Sequence, residues 1–302
     1  MGRRTWPALV WCASALAGLL TLTACGLDAG PATPSPLPPP DTRTATVTAL
    51  PATATPAATP TPACSETTGQ VLEDHYPGML VEGEVPFRIY LPACAATAGE
   101  RLPVLYLFHG YPFDESHWDA LGMDEMVESW IQADQVPPFA LVMPRLPEPL
   151  FRGPKSGGAG SYEAEMLQGL LPAVEAKYPV AILPERRAIA GISRGGVWSL
   201  EIGMRHPEVF AVVAALSPAL SVNLAPPEYD PLVLAAGTAP LPERFYLAAG
   251  AEDWARPKSE ELAAVLQTRG KPVELAIVPG GHSADAWLAA IPSLLTYVTD
   301  GW

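Results

Sequence analysis

The stretch "RRAIAGISRGGVWSLEIGMRHPEVF", Arg186 to Phe210, places Ser193 between two glycines where an apolar run gives way to helical spacing. Gly191-Ile192-Ser193-Arg194-Gly195 fits G-x-S-x-G, in which the glycines permit a sharp strand-to-helix turn and lift the serine hydroxyl onto an exposed apex. A serine at a helix start can equally be an N-cap that accepts from the first helical amides. The flanking context separates the two readings. "RRAIAGI" is predicted to be a strand and "GGVWSLEIGMRH" a helix, the setting that a nucleophile elbow requires.

Working outward, strands and helices alternate. "VPFRIYLP" and "LPVLYLFHG" read as strands, the second a continuous apolar run suited to a buried central position. Helix "ALGMDEMVESWIQA", strand "PFALVMPR" and helix "SYEAEMLQGLLPAVEAKY", interrupted at Pro172, precede the elbow. Strand "FAVVAALSP", strand "RFYLAAG", helix "KSEELAAVLQTRG", strand "PVELAIVPGG" and a helix from about Ala284 follow it. This order predicts an α/β fold with a mostly parallel sheet, helices on both faces, and active groups on loops at the carboxyl ends of strands.

A serine hydroxyl needs a base, and the chain has five histidines. His282, in "VPGGHSADAW", follows the last predicted strand and is the candidate base. His75, His109, His117 and His206 lie before the final strand in less suitable places. The orienting carboxylate belongs on a loop between serine and histidine. "RFYLAAGAEDW" offers Asp253, with Glu252 its rival and Asp230 a weaker one; Asp285 follows the histidine. Candidate oxyanion donors are the backbone N–H groups of Arg194, after the nucleophile, and of Tyr111, after Gly110 in "LFHGYPFDESHW". Trp118 and Trp287 are candidate walls of the substrate pocket.

The ordered motifs "LYLFHGYPFDESHW", "ALVMP", "RRAIAGISRGGVWSLEIGMRHPEVFAVVAALSP", "YLAAGAED" and "GGHSADAW" resemble the esterase-D-like branch of the α/β-hydrolase superfamily. That branch includes S-formylglutathione hydrolases, feruloyl and acetylxylan esterases, enterochelin esterases and mycolyl transferases. The resemblance runs from about Thr68 and implies the α/β-hydrolase fold. It also implies a serine esterase with Ser193 as nucleophile, Asp253 as acid, His282 as base, and Tyr111 and Arg194 as amide donors. "GGHSADAW" is similar to the feruloyl-esterase pattern, which implies that Trp287 walls the pocket. Many members carry Met or Gln after the serine, so Arg194 is a departure. The implied substrate is a small-molecule or carbohydrate-linked ester. An acyltransferase of the mycolyl-transferase type and a non-catalytic binding lipoprotein are the competing functions, and a serine peptidase is a more distant one.

Composition adds compartment and excludes partners. "MGRRTWPALVWCASALAGLLTLTACG" has two early arginines, an apolar run from Trp6 to Leu22 and small residues before Cys25, the layout of a lipoprotein signal over residues 1–24. The apolar run is short of the roughly 20 residues that span comfortably. Cys25 is thus the expected lipidation site, and the chain is expected to be exported and anchored to the outer face of a bacterial membrane. Residues 25–63 are rich in Pro, Thr and Ala without apolar periodicity, a stalk rather than a core, with the catalytic domain over residues 64–302. Cys64 and Cys94 remain after processing and are expected to form a disulfide in an oxidising compartment. The formal charge of −14 argues against nucleic acid as a partner. With no P-loop, dinucleotide fingerprint or HExxH motif, neither cofactor nor metal is expected.

Overall fold

The structure is a computed structural model that describes residues 64–97, 99–148, 150–151 and 157–302. The signal, Cys25 and stalk expected from the sequence lie outside the described residues. Eight strands form one sheet: β1 (Gln70–Pro77), β2 (Glu84–Leu91), β3 (Val104–Phe108), β4 (Ala140–Pro144), β5 (Arg187–Ile192), β6 (Val212–Leu216), β7 (Arg244–Gly250) and β8 (Val273–Val278). Their spatial order is β1-β2-β4-β3-β5-β6-β7-β8. β1 pairs antiparallel with β2, and β2 with β4; every later neighbour pair is parallel. This is the α/β-hydrolase arrangement, a mostly parallel sheet flanked by helices.

Parallel strands at the centre must be covered on both faces, and their side chains show it. In β3, Val104, Tyr106 and Phe108 enter one apolar core while Leu105 and Leu107 enter the other. The first core is closed by α3 (Tyr162–Ala164), α4 (Leu171–Lys177), α5 (Arg194–Arg205), α6 (Pro231–Ala236) and α7 (Arg256–Thr268), through residues such as Tyr162, Val174, Trp198, Ala235 and Leu262. The second is closed by α1 (His117–Ala120), α2 (Met123–Gln132) and α8 (Ala284–Thr299), through Trp118, Val127, Ile291 and Leu295.

Two elements differ from the sequence expectation. β1, "QVLEDHYP", was not legible because its apolar residues are diluted by charge; it is an edge strand, mostly exposed or half-buried, and needs little apolar content. The expected helix over 161–178 is broken well before Pro172. A π-helical stretch, Glu165–Leu170, separates α3 from α4. Proline lacks an N–H and its ring crowds the carbonyl four residues back, so the ladder widens upstream of it. Glu165, fully buried in that stretch, accepts hydrogen bonds from the amides of Met79 (3.0 Å) and Leu80 (2.6 Å) and so pins the turn after β1.

Cys64 and Cys94 are bonded, with Cα atoms 5.6 Å apart, tying the segment before β1 to the loop after β2. Closing a loop of this separation, 30 residues, stabilises by roughly 3–4 kcal/mol on the chain-entropy argument. Among the described residues no helix is long and apolar enough to cross a membrane.

Candidate active site

The site is built at the carboxyl ends of β5, β7 and β8. Ser193 sits between β5 and α5 with φ 54° and ψ −112°, a left-handed conformation that non-glycine residues seldom adopt. Three backbone hydrogen bonds hold it there: Ser193 N–H to Leu216 O (2.8 Å), Val197 N–H to Ser193 O (3.1 Å) and Ala219 N–H to Ser193 O (3.1 Å). The motif glycines are there for space. A Cβ on Gly195 would lie 2.6 Å from Phe108 O, and one on Gly191 would lie 2.8 Å from Gly196 N. The Ser193 side chain accepts nothing from the helix amides, so it does not act as a cap.

That hydroxyl instead meets His282, Nε2 lying 2.9 Å from Oγ. His282 occupies the loop between β8 and α8, and its Nδ1 lies 3.0 Å and 3.2 Å from the two carboxylate oxygens of Asp253. A carboxylate only accepts, so Nδ1 carries the hydrogen and Nε2 is left free to accept from the serine. Asp253 lies in the turn after β7 with a fully buried side chain, and its Oδ1 also accepts from Ala255 N–H at 2.8 Å. The neighbouring Glu252 turns away. Its Oε2 accepts from Gly280 N–H (3.1 Å), which clips the β7 turn to the histidine loop. Asp230 caps α6 through Leu232 N–H (2.9 Å), and Asp285 is exposed.

The imidazole of His282 is walled by two indoles. Trp254 stacks on it at 4.5 Å between ring centroids, and Trp287 meets it edge-on at 5.4 Å. Trp287 is buried and donates its indole N–H to Ser217 Oγ (3.1 Å), so it props the histidine from behind rather than facing the cleft. Trp118 departs further from expectation. It is fully buried under the loop after β3, its indole N–H donated to Phe108 O at 3.1 Å, and it does not line the cleft. The cleft above Ser193 has a volume of about 430 Å³ and is walled by Tyr111, Phe151, Arg194, Ala219, Val222 and Trp254. Trp254 escaped the sequence reading although it adjoins Asp253. Phe151 lies in an irregular loop and Val222 in a short 3₁₀ turn, Leu220–Val222, and neither stretch of sequence carries such a pointer.

The loop after β3 is held by two buried histidines. Gly110 approaches the elbow closely, since a Cβ there would lie 3.6 Å from Ser193 Cβ. His109 Nε2 accepts from Leu146 N–H (2.9 Å), which leaves Nδ1 to donate to Gly110 O (3.0 Å). Burial pushes the His109 imidazole down to about 4, and does the same to His117. The folded chain therefore refuses protons that the unfolded chain accepts below its ordinary value of 6.5. Stability from His109 is complete above that value and is lost as pH falls towards 4, by up to about 3 kcal/mol, with no further loss below. Thermal melts from pH 7 to 4 should show a shallower decline for His109→Gln than for the natural chain. An equal or steeper decline would show that His109 is not the neutral support described.

The comparisons with known proteins agree with this architecture. The sequence model of the family described as "Putative esterase" matches residues 79–297. An endo-1,4-beta-xylanase/feruloyl esterase of Xylanibacter ruminicola is 32% identical over 124 residues, 39% of this chain and 17% of that protein. Esterase Rv1288 of Mycobacterium tuberculosis is 30% identical over 139 residues, 43% of this chain and 28% of that protein. The matches thus span well under a third of these relatives' lengths. A solved ferulic acid esterase superposes with a TM-score of 0.68 at 21% identity, covering 77% of this chain and 98% of that one. S-formylglutathione hydrolase of Staphylococcus aureus gives 0.64 at 18% identity, covering 76% and 99%. A serine–histidine–aspartate relay on an α/β-hydrolase sheet, within a family match over most of the chain, places this protein in that esterase family.

Proposed function

We propose that this chain hydrolyses carboxylic esters through an acyl-enzyme on Ser193 while tethered to a membrane through Cys25. The observation that carries the chemistry is the continuous relay from Ser193 Oγ to His282 Nε2 (2.9 Å) and from His282 Nδ1 to Asp253 (3.0 Å). In the first half-reaction Oγ attacks the acyl carbon as Nε2 takes its proton, and the imidazolium then protonates the leaving alcohol. In the second half, water attacks the acyl-serine with His282 again as base, releasing the acid and restoring the hydroxyl. The buried Asp253 carboxylate fixes the tautomer and balances the imidazolium. Two amides supply the oxyanion site. Arg194 opens α5, so its N–H has no partner inside the helix, and the Tyr111 amide follows Gly110 on the loop packed against the elbow.

A cleft of about 430 Å³ suits a small acyl group, within the range of roughly 300–1,000 Å³ usual for small-molecule sites. Its aromatic walls, Phe151 and Trp254, fit short or aromatic acyl groups, and two of the similar proteins are named as feruloyl or ferulic acid esterases. A panel of 4-nitrophenyl and methyl esters with acetyl, butyryl, long-chain and hydroxycinnamoyl groups, together with acetylated sugars, should show turnover of short or aromatic members and weak turnover of long chains. No hydrolysis of any member would overturn the reading.

The tether rests on the sequence alone, on "LTAC" at residues 22–25 after an apolar run. Cys25→Ala should move the chain from the membrane fraction to the soluble exported fraction with unchanged specific activity. Full membrane retention of that variant would point to a spanning helix instead.

A further inference from the structure

Strand order divides the cleft into two halves. Ser193 follows β5; Tyr111 and Phe151 come from the loops after β3 and β4 on one side of it, and Ala219, Val222, Trp254 and His282 from the loops after β6, β7 and β8 on the other. The relay decides what each half receives. The leaving oxygen has to take its proton from His282 Nε2, which sets the alcohol in the histidine half, while the acyl group turns towards Phe151.

The histidine half is apolar. Its walls besides His282 are Ala219, Val222 and Trp254, so among the described residues lining it there is no carboxylate, amide or hydroxyl side chain. The Arg194 guanidinium is already engaged, Nε donating to Phe151 O (3.3 Å) and Nη1 to Asn223 Oδ1 (3.1 Å), with Nη2 buried. Trp254 is 47% exposed although one face of its indole stacks on His282, 4.5 Å between centroids and 30° between planes. The stack fixes the ring in place and leaves the opposite face open. Val222 is 57% exposed beside the same opening, and large apolar side chains grouped in that way mark a binding surface. A flat apolar ring gains there by leaving water and by stacking on the indole. A sugar would give up water with no side chain to replace its hydrogen bonds, which is unfavourable.

Resting on the esterase reading above, we propose that Trp254 determines alcohol specificity by stacking a flat apolar ring on its open face, so that the preferred substrates are esters of arylmethyl alcohols rather than of sugars. The bond between acyl carbon and ester oxygen breaks as Ser193 Oγ bonds to that carbon, and the arylmethanol leaves with the proton from His282 Nε2. The two aromatic walls thus serve different parts of the ester, Phe151 the acid and Trp254 the alcohol.

The test compares the benzyl, ethyl and 6-O-glucosyl esters of whichever acid the panel above turns over fastest. All three alcohols are primary, the released acid is followed by pH-stat, and enzyme concentrations are normalised by fluorophosphonate titration of the folded active fraction. The natural chain should favour the benzyl over the ethyl ester in kcat/KM by about tenfold or more, with the glucosyl ester the poorest. Trp254→Ala should bring the benzyl-to-ethyl ratio to about two or below, and Trp254→Phe should keep most of it because a flat ring stays. Val222→Asn, at an exposed position, should lower that ratio and raise the relative rate of the glucosyl ester. Loosening of His282 by the loss of its stacking partner would slow all three esters alike, so the ratio isolates the alcohol. A ratio near one in the natural chain, a ratio that survives Trp254→Ala, or a preference for the glucosyl ester would overturn the assignment. Hydrolysis of the panel without the benzyl preference sinks this inference alone, whereas a panel left untouched throughout sinks the esterase reading and this inference with it.

Discussion

Ser193→Ala is expected to lower turnover by about 10⁶-fold, the scale seen when a triad nucleophile is deleted elsewhere. The physical reason is that the acyl group has nowhere else to go. Among the described residues no other hydroxyl is hydrogen-bonded to His282, and Ser217, the nearest rival in sequence after β6, is buried and occupied by the Trp287 indole. The variant should remain folded, since the three backbone hydrogen bonds at residue 193 and the close packing of Gly191 and Gly195 do not involve Oγ. Circular dichroism and the melting temperature should match the natural chain while hydrolysis of the best ester falls to background. Retained hydrolysis in Ser193→Ala would mean that the elbow is only a turn.

Asp253→Asn is expected to lower turnover by about 10⁴-fold, a magnitude taken from the corresponding change in serine proteases. The Asn oxygen can still accept from Ala255 N–H, which leaves its NH₂ facing Nδ1. Nδ1 must then become the acceptor and Nε2 the donor, the tautomer that cannot take the serine proton. The fold should persist because the side chain keeps its volume and one hydrogen bond. Glu252→Gln is the contrasting variant. It alters an exposed residue whose oxygen accepts from Gly280 N–H, and it should change turnover little. Reversed outcomes, with Glu252→Gln inactive and Asp253→Asn active, would place the orienting charge on the wrong residue.

These two acids show where sequence reasoning ends. "AEDW" locates a carboxylate at a strand end and the sequence reading favours Asp253 over its rival Glu252, but one residue of turn geometry decides which side chain points at the histidine. The structure makes that choice by burying Asp253 against His282 and leaving Glu252 outside. The α/β order, the elbow and the histidine loop were legible because each depends on local pattern: apolar runs, glycine spacing, a histidine after the last strand. β1 was not, since an edge strand survives with few apolar side chains. Trp118 illustrates a different failure. An aromatic near a catalytic loop suggested a pocket wall, whereas its indole N–H is needed inside to satisfy Phe108 O. The departure at Arg194 was visible in the sequence, but Asn223 and Phe151, which hold its side chain, come from loops that only the folded chain brings together.

The central claim is that Ser193 carries the acyl group between the two half-reactions, and rapid acid quench with peptide mass spectrometry tests it most directly. With a slowly deacylating 4-nitrophenyl ester, the peptide containing Ser193 should gain the mass of the acyl group within the first turnover, in step with a burst of 4-nitrophenol. The adduct should be absent from Ser193→Ala. An unmodified Ser193 peptide during undiminished steady-state hydrolysis, or an adduct on another residue, would contradict the account.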